Sequence, residues 1–175
     1  MVLDYPPTLL SQEERSAIAE IEATTNILRL VTRLTNMRFA AITKFGDAEL
    51  VICSVHDSAD LGIGAGEAFP LEDTICSEFQ RDPAPLLIPR VSHDQSFASR
   101  LIVKTYDLDS YVGVPIFLPD GRLYGALCAI DSRPVLFEDP DVCETLEIFA
   151  RLIGCIFFAS LAVKVAGVGI ELESL

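Results

Sequence analysis

Apolar residues at both ends of the chain recur with the spacing of helices. Near the N-terminus, Ser11 and Glu14 form the pattern of a capping box, in which each side chain satisfies an amide at a helix start. Apolar positions then repeat at three- and four-residue steps, or their sums, to about Met37. Near the C-terminus, Asp139 before Pro140 marks a second helix, because proline suits the first helical position and an acid complements the dipole. Both ends are therefore predicted to be helical.

The predicted C-terminal helix carries two adjacent apolar stripes. The first keeps steps of three and four apart from one gap: Val142, Leu146, Phe149, Ile153, Ile156 and Val163. The second lies beside it: Ile148, Leu152, Cys155, Ala159 and Ala162. A helix that covers only its own sheet needs one stripe, so the second stripe predicts contact with a symmetric partner helix. The alternative is a helix buried within one monomer.

Short β-prone runs lie between the two helices. Phe39 to Phe45 and Leu50 to Val55 predict one hairpin, and Tyr111 to Leu118 and Leu123 to Ile130 predict a longer one. Leu86 to Ile88 predicts a brief strand. In the longer hairpin both alternating sets of residues are apolar or small, which is typical of central strands covered on both faces.

Irregular segments connect these strands. His56 to Glu67 is small, polar and Gly-rich and predicts a loop, and Pro70 to Gln80 predicts a turn into a short helix that holds Cys76. Val91 to Asp109 keeps no sustained period, which is typical of segments that line or cover a site. Pro115 cannot donate to a ladder, so we expect a bulge or an unpaired position there. The order of elements predicts an α+β domain, with an antiparallel sheet, terminal helices on one face and a long excursion on the other.

Composition excludes several classes of protein. The 175 residues include 26 acidic and 13 basic side chains, half are apolar, and the formal charge is −13. A disordered chain would be far less hydrophobic, and a nucleic-acid-binding surface needs clustered Lys and Arg. The length predicts one domain. We expect an N-terminal extension over residues 1–10, the domain with its helices over residues 11–165, and a tail over residues 166–175.

Cysteine usage and the apolar segments indicate a cytoplasmic protein. The five cysteines are an odd number and are too widely spaced for a redox or zinc motif: Cys53, Cys76, Cys128, Cys143 and Cys155. The first ten residues lack the basic start of a secretory signal, so reduced thiols are expected. Leu152 to Val163 is uncharged but too short to span a bilayer. We expect a protein-packed helix there and no membrane span.

Three segments resemble a GAF domain. They are Phe69 to Ser77 (FPLEDTICS), Leu87 to Asp94 (LIPRVSHD) and, above all, Ser110 to Pro134 (SYVGVPIFLPDGRLYGALCAIDSRP). The resemblance covers about Ile27 to Ile156. It implies a sheet of five or six antiparallel strands, terminal helices that build a dimer bundle, and a small-molecule pocket on the opposite face. It also implies a sensory or regulatory role in a bacterial signalling protein.

Departures from the family pattern disfavour two kinds of ligand. GAF domains that bind cyclic nucleotides carry an Asn-Lys pair followed by Phe-x-x-x-Asp-Glu. Here Asp131-Ser132-Arg133 stands in place of the pair, and only Phe137 and Asp141 match the second part of the motif. Members similar to phytochromes attach a bilin to a Cys that is commonly followed by His, whereas Ser77 follows Cys76 here. The ligand is therefore unknown, with bilin and cyclic nucleotide both disfavoured.

Candidate ligand-binding residues come from the short helix, the irregular segment and the long hairpin: Cys76, His93, Asp94, Phe97, Tyr106, Tyr111 and Cys128. If Cys76 and Cys128 face the same pocket, they form a redox pair, because a helix N-terminus lowers a thiol pKa and the thiolate is the reactive form. No metal site is expected, since nothing brings the two His-Asp pairs of the chain together.

These features predict a non-catalytic sensory module that acts as a homodimer in signal transduction. A ligand orders residues 91–109, and the change passes to the terminal helices. One alternative is a thiol-dependent enzyme similar to the GAF-like free methionine sulfoxide reductases. Another is a structural dimerisation module without a ligand, in which Phe97, Tyr106 and Tyr111 fill a collapsed pocket.

Overall fold

Six antiparallel strands form one sheet at the centre of the protein. The computed structural model describes residues 10–173, and the side chains of residues 10–166. The strands are β1 (Phe39–Phe45), β2 (Glu49–Asp57), β3 (Ala68–Pro70), β4 (Leu86–Ile88), β5 (Ser110–Phe117) and β6 (Leu123–Asp131). Their order across the sheet is β3-β2-β1-β6-β5-β4. The predicted α+β class is confirmed, and β3 is the sixth strand.

The sheet departs from the predicted pairing at one position. Pro115 keeps regular register with Ala126, and the irregularity lies one step later, between Ile116 and Phe117. The expectation of a bulge or unpaired position at Pro115 was therefore wrong by one residue. Proline lacks only the donor, so its register position can be kept while the ladder shifts beside it.

Helix α1 (Gln12–Thr35) begins at the predicted capping box. The Glu14 amide donates to the Ser11 hydroxyl at 3.1 Å, and the Ser11 amide donates to the Glu14 carboxylate at 2.6 Å. The helix ends two residues before the predicted end, because Asn36 adopts the left-handed conformation, with φ 57°. This conformation closes a helix and is tolerated by asparagine.

Helix α4 (Val142–Glu173) lies against α1 and β5. It starts after Asp139 and Pro140, which form a turn, and it continues beyond residue 165, where the sequence analysis ended the domain. Its approach to the sheet is close, because a Cβ at Gly154 would overlap the Phe117 carbonyl oxygen. A longer side chain at this position would push the helix away from β5.

The same helix is apolar over most of its length. Val142–Ala166 has a mean hydropathy of 2.0 and is long and apolar enough to cross a membrane by length and composition. However, Leu146, Ile153 and Phe157 are buried against the sheet of their own domain. The first predicted stripe therefore packs within the monomer, and all members of the second stripe are exposed.

The sheet separates two apolar cores. On β5, Tyr111 belongs to the core on one face, and Val112 and Val114 belong to the core beneath the terminal helices. Cys128 and Leu127 divide in the same way on β6. Alternate residues of a strand point to opposite faces, so neighbouring residues of one strand belong to different cores.

A buried carboxylate joins the end of β6 to the start of β1. Asp131 is fully buried and accepts hydrogen bonds from the guanidinium groups of Arg38, at 2.8 Å, and Arg133, at 3.0 Å. Burial opposes its ionisation, but these bonds outweigh burial and hold the pKa of Asp131 well below its usual range. The carboxylate is therefore charged at neutral pH and links three segments of the chain.

Candidate functional site

A small cavity lined mainly by buried residues lies between the sheet and the segments that cover it. Its volume is about 40 Å³, and its surface is almost wholly apolar. It is lined by Phe39, Ala41, Thr43, Leu50, Ile52, Ile63, Phe69, Thr74, Ile75, Cys76, Ile102, Leu108, Tyr111, Cys128 and Ile130. Since a water molecule needs roughly 10–15 Å³ of such space, the cavity has room for a molecule no larger than about three waters. Larger molecules require the cover to move.

The segment over the cavity is more regular than the sequence indicates. This segment, residues 91–109, is the cover of the cavity. It contains a short 3-10 helix, Val91–His93, and helix α3 (Leu101–Tyr106). A second short helix, α2 (Glu78–Arg81), follows Cys76. The short helix after Pro70 was predicted, but it begins at Glu78 and does not hold Cys76. The two helical turns within residues 91–109 were missed because helices of six residues or fewer are too short to show a hydrophobic period.

One arginine fastens the cover to the segment before α2. The Arg100 guanidinium donates to the carbonyl oxygens of Glu72 and Thr74, each at 3.2 Å, and to the Ser77 hydroxyl at 3.0 Å. It also lies 5.6 Å from the ring centre of Phe97. Opening the cover at this point requires breaking the three hydrogen bonds to Glu72, Thr74 and Ser77, so Arg100 acts as a latch.

Two thiols and one phenol are the notable polar groups of the cavity. The Cys76 sulfur lies 3.1 Å from the Tyr111 hydroxyl, and both residues are buried. The Tyr111 ring lies over Gly113, so that a Cβ on Gly113 would overlap the phenol. Gly113 is the register partner of Cys128 on β6. The hydroxyl of Tyr111 therefore contacts Cys76 and lies close to the register position opposite Cys128.

The pKa values of the three groups are shifted in different directions. A hydrogen bond from the Cys128 thiol lowers the pKa of Cys76, against the effect of burial and with help from Tyr111. The same bond, together with burial, raises the pKa of Cys128 well above the usual thiol value. Burial, and then the charge of Cys76, raise the pKa of Tyr111. Cys76 is thus the group that ionises first, with Cys128 and Tyr111 as its donors.

The arrangement of strands, terminal helices and covered cavity is matched by a family model. The model of the GAF domain matches residues 20–156. The chain belongs to the GAF domain family. No curated protein matches it in sequence.

Solved structures similar to this GAF domain include sensors and an enzyme. A far-red cyanobacteriochrome photoreceptor has a TM-score of 0.62 at 14% identity, covering 87% of this chain and 90% of its own. The GAF domain of an Acinetobacter phosphoenolpyruvate-protein phosphotransferase has a TM-score of 0.63 at 10% identity, covering 89% and 99%. The free methionine-R-sulfoxide reductase of Neisseria meningitidis, in complex with its substrate, has a TM-score of 0.63 at 18% identity, covering 86% of each chain.

Light-sensing proteins are prominent among the solved structures that share this fold. The neighbours are mostly signalling proteins, and further cyanobacteriochromes and phytochromes are among them. Such light-sensing relatives weigh against the expectation, drawn from Cys76 and Ser77, that a bilin is disfavoured. At these identities, however, the likeness shows the fold alone.

Three of the predicted site residues meet in the cavity of this GAF domain: Cys76, Tyr111 and Cys128. Two others lie in a second layer. Tyr106 is half-buried and packs edge-on against Phe69, with ring centres 6.3 Å apart. Phe97 is buried in the same core but faces a surface groove beside Arg100.

His93 and Asp94 lie outside the cavity. His93 is exposed, and the Asp94 carboxylate accepts a hydrogen bond from the Ser96 amide at 3.0 Å, which closes a local turn. His56 is on β2, several strands away in the sheet. Among the described residues, no three His, Cys, Asp or Glu side chains form a group that could hold a metal ion.

Most of the lining residues were missed by sequence reasoning. Phe39, Ala41 and Thr43 come from alternate positions of β1, and Ile63 comes from the Gly-rich loop. Alternation along β1 is a signal that could have found the first three, because they share the face of Tyr111. No local pattern indicates Ile63.

A larger groove lies at the surface, beside the Asp131 cluster. It has a volume of about 420 Å³ and includes Arg133, Leu136 and Phe137. It is open to solvent, and the Arg133 guanidinium is held by Asp131. The small cavity is lined by buried residues and holds two thiols and a phenol, so it is the better candidate for the functional site.

Proposed function

We propose that this GAF domain is a non-catalytic sensory module of the cytoplasm. It binds a small apolar molecule in this cavity and passes the resulting change to the terminal helices of a homodimer. Support for the location comes from the five free cysteines, which are typical of a reducing compartment. The excess negative charge argues against a nucleic-acid partner.

The alternation of residues along β5 carries the proposal. Tyr111 contacts the cavity, and Val112 and Val114, on either side of Gly113, pack beneath the terminal helices. The strand then ends at Phe117, against Gly154 of α4. A ligand that displaces Tyr111 therefore acts on a strand whose opposite face supports the output helix.

Ligand chemistry follows from the lining of the cavity. Its residues are apolar apart from two threonines, two thiols and one phenol, and none of them is a basic side chain. A phosphate would enter without a cation, which is costly in an apolar site. A cyclic nucleotide is therefore disfavoured, and an uncharged molecule fits best.

Binding must be linked to opening of the cover. Drug-sized ligands occupy pockets of roughly 300–1,000 Å³, far more than the closed cavity. A ligand of ordinary size therefore selects a state in which the Arg100 latch is released. Its differential affinity for the open and closed states supplies the signal. The same size argument disfavours a bilin in the closed state.

The exposed stripe of α4 supports a second copy of the chain as partner. Ile148 and Leu152 are 44% and 52% exposed, and Cys155, Ala159 and Ala162 continue the stripe without a charge. These positions alternate by four and three residues, which is the seam of a two-helix coiled coil. A symmetric dimer covers both copies of the stripe at once.

Native mass spectrometry and hydrogen exchange test this function. Protein purified from cells is expected to carry a small molecule, and the same protein after unfolding and refolding provides the empty state. Binding should slow exchange in α3 and alter exchange in α4. Ala41→Val, which fills the cavity with two methyl groups, should abolish both effects. Protection of α3 without any change in α4 would remove the relay, and absence of a bound molecule would remove the ligand.

The thiol-dependent reductase is the enzymatic alternative. It is favoured by the Cys76–Cys128 pair and by the likeness to the Neisseria enzyme. The closed cavity of about 40 Å³ is too small for methionine sulfoxide and for a sensory ligand of ordinary size alike. The sensor is the better proposal because the similar solved structures are mainly signalling proteins. Turnover of free methionine sulfoxide with a thiol reductant, lost in Cys76→Ser, would reverse this preference.

A structural dimerisation module is the remaining alternative. Tyr111 fills the pocket as that alternative requires, but Phe97 and Tyr106 do not line it. Only one of the three aromatic side chains that this alternative names therefore lines the pocket. A chain that dimerises but binds nothing in the experiment above would favour this alternative.

A further inference from the structure

The sensory proposal leaves two buried cysteines without a role. An apolar ligand needs no thiol, yet Cys76 and Cys128 are 5% and 6% exposed and border one cavity. For a cysteine the ordinary explanation is packing as a small apolar residue. Two thiols that line one cavity, one of them in contact with a buried phenol, are a more specific arrangement.

The geometry that brings the sulfurs together comes from three elements. Tyr111 lies along β5 over Gly113, and Cys128 is opposite Gly113 on β6. The Cys76 sulfur approaches the Tyr111 hydroxyl at 3.1 Å from the segment before α2. Since both cysteines face the cavity beside the same hydroxyl, their side chains are neighbours although they lie far apart in the sequence.

The size of the cavity selects what can reach these thiols. A volume of about 40 Å³ admits a molecule of two or three non-hydrogen atoms. Hydrogen peroxide is of this size, and methionine sulfoxide is not. The pKa of Cys76 is lowered by the Cys128 thiol, so Cys76 is the more nucleophilic member of the pair.

We propose that Cys76 and Cys128 are a modification site, at which hydrogen peroxide forms a reversible disulfide inside the cavity. The Cys76 thiolate attacks one peroxide oxygen, the O–O bond breaks, and hydroxide leaves, which gives a sulfenic acid on Cys76. The Cys128 thiol then attacks that sulfur. The S–S bond forms, the S–O bond breaks, and the released oxygen takes a proton and leaves as water.

The balance of this reaction is complete. Two thiols lose two electrons and two protons to the peroxide, which becomes two molecules of water. A small dithiol reverses the step by thiol–disulfide exchange. The bond ties the segment before α2 to the central strand β6 and removes the thiol partner of Tyr111. Oxidation therefore fixes to the sheet the segment to which Arg100 fastens the cover.

Peptide mapping of a simplified chain tests the proposal. In the variant Cys53→Ala/Cys143→Ala/Cys155→Ala, only Cys76 and Cys128 remain. Trypsin then gives peptide 45–81 with Cys76 and peptide 123–151 with Cys128, since Arg133 precedes proline. After peroxide treatment and alkylation, we expect these peptides to be linked, with the mass of two hydrogens lost. Dithiothreitol should restore both thiols.

Two further variants in the same background separate the steps. With Cys128→Ser, oxidation should stop at a sulfenic acid on Cys76 that dimedone traps. With Cys76→Ser, Cys128 should stay reduced at the same peroxide concentration. Circular dichroism confirms that each variant is folded, and Tyr111→Phe, which keeps both thiols, provides a second test if a serine variant is not. It should still form the bond.

Several outcomes would overturn the proposal. One is that both thiols remain open to alkylation after peroxide treatment, and another is that Cys76 is oxidised without a link to Cys128. A third is that the link forms equally fast in urea, since the fold would then contribute nothing. The proposal does not depend on the sensory function, because the bond needs only peroxide. Its failure leaves ligand binding and the helix relay as they stand.

Discussion

The ring of Tyr111 lies over Gly113, at the position where a side chain on Gly113 would begin. The absence of a side chain at Gly113 is what lets the phenol reach Cys76 beside the register partner of Cys128. Glycine is used in this strand for close approach and not for an unusual backbone angle. The pair therefore defines the floor of the cavity.

Gly113→Ala should destabilise the protein through this contact. The added methyl group overlaps the Tyr111 hydroxyl, and overpacking of a core costs about 1–3 kcal/mol. Urea unfolding should show this loss. In a Tyr111→Leu background, where the shorter side chain leaves the space free, the same alanine should cost much less. Equal costs in both backgrounds would show that the ring is not the cause.

Arg100→Met should loosen the cover while leaving the domain folded. The variant loses three hydrogen bonds that fasten the cover to residues 72–77. Because the guanidinium is partly exposed, we expect a net loss of about 1.4 kcal/mol, which is roughly a tenfold rise in the open population. The rate at which a thiol reagent labels Cys76 should rise by this factor. Arg90→Met, an exposed arginine of the same region, is the control and should label at the original rate.

The sheet and the terminal helices could be predicted because their signals are long or repeated. The capping box at Ser11, the two hairpins and the double stripe after Val142 all gave local patterns, and the structure places each of them as an element. The candidate site could be predicted only in part. Cys76, Tyr111 and Cys128 meet through tertiary contacts, whereas His93 is equally polar and lies outside. Sequence spacing carries no information on which loop residue turns inward.

Asp131→Asn should destabilise the protein although it preserves the size of this buried side chain. The amide keeps the shape of the side chain but loses the charge that Arg38 and Arg133 share. Hydrogen bonds to a charged group contribute about 1.5–3 kcal/mol, and we expect a loss in that range by urea unfolding. Asp120→Asn, which breaks an exposed pair with Arg122, is the matched control and should have no measurable effect. A small loss of stability in Asp131→Asn would mean that water replaces the carboxylate as the hydrogen-bond partner of both arginines.

The same carboxylate should make stability fall in acid. Since the pKa of Asp131 is lowered in the folded state, the unfolded chain binds its proton first as pH decreases. The contribution is fully present above the unfolded value of about 4 and is lost as pH falls toward the folded value. Unfolding measured from pH 7 to pH 3 should therefore show the advantage of the parent chain over Asp131→Asn shrinking below about pH 4. An advantage that is constant with pH would exclude a charge effect.

The exposed stripe of α4 should hold two copies of the chain together with Cys155 next to its counterpart. In a parallel symmetric pair each seam residue meets the same residue of the partner, and Cys155 is exposed at the centre of the stripe. Mild oxidation should therefore link the dimer covalently on a non-reducing gel, and Cys155→Ser should prevent the link without changing the native mass.

Leu152→Glu places two carboxylates in the seam and should give monomers at micromolar concentration. Leu101→Glu on α3 is the control, because Leu101 and Leu152 are 56% and 52% exposed. A dimer that survives Leu152→Glu but dissociates with Leu101→Glu would move the interface to the cover, and the relay through α4 would then have no partner to act on.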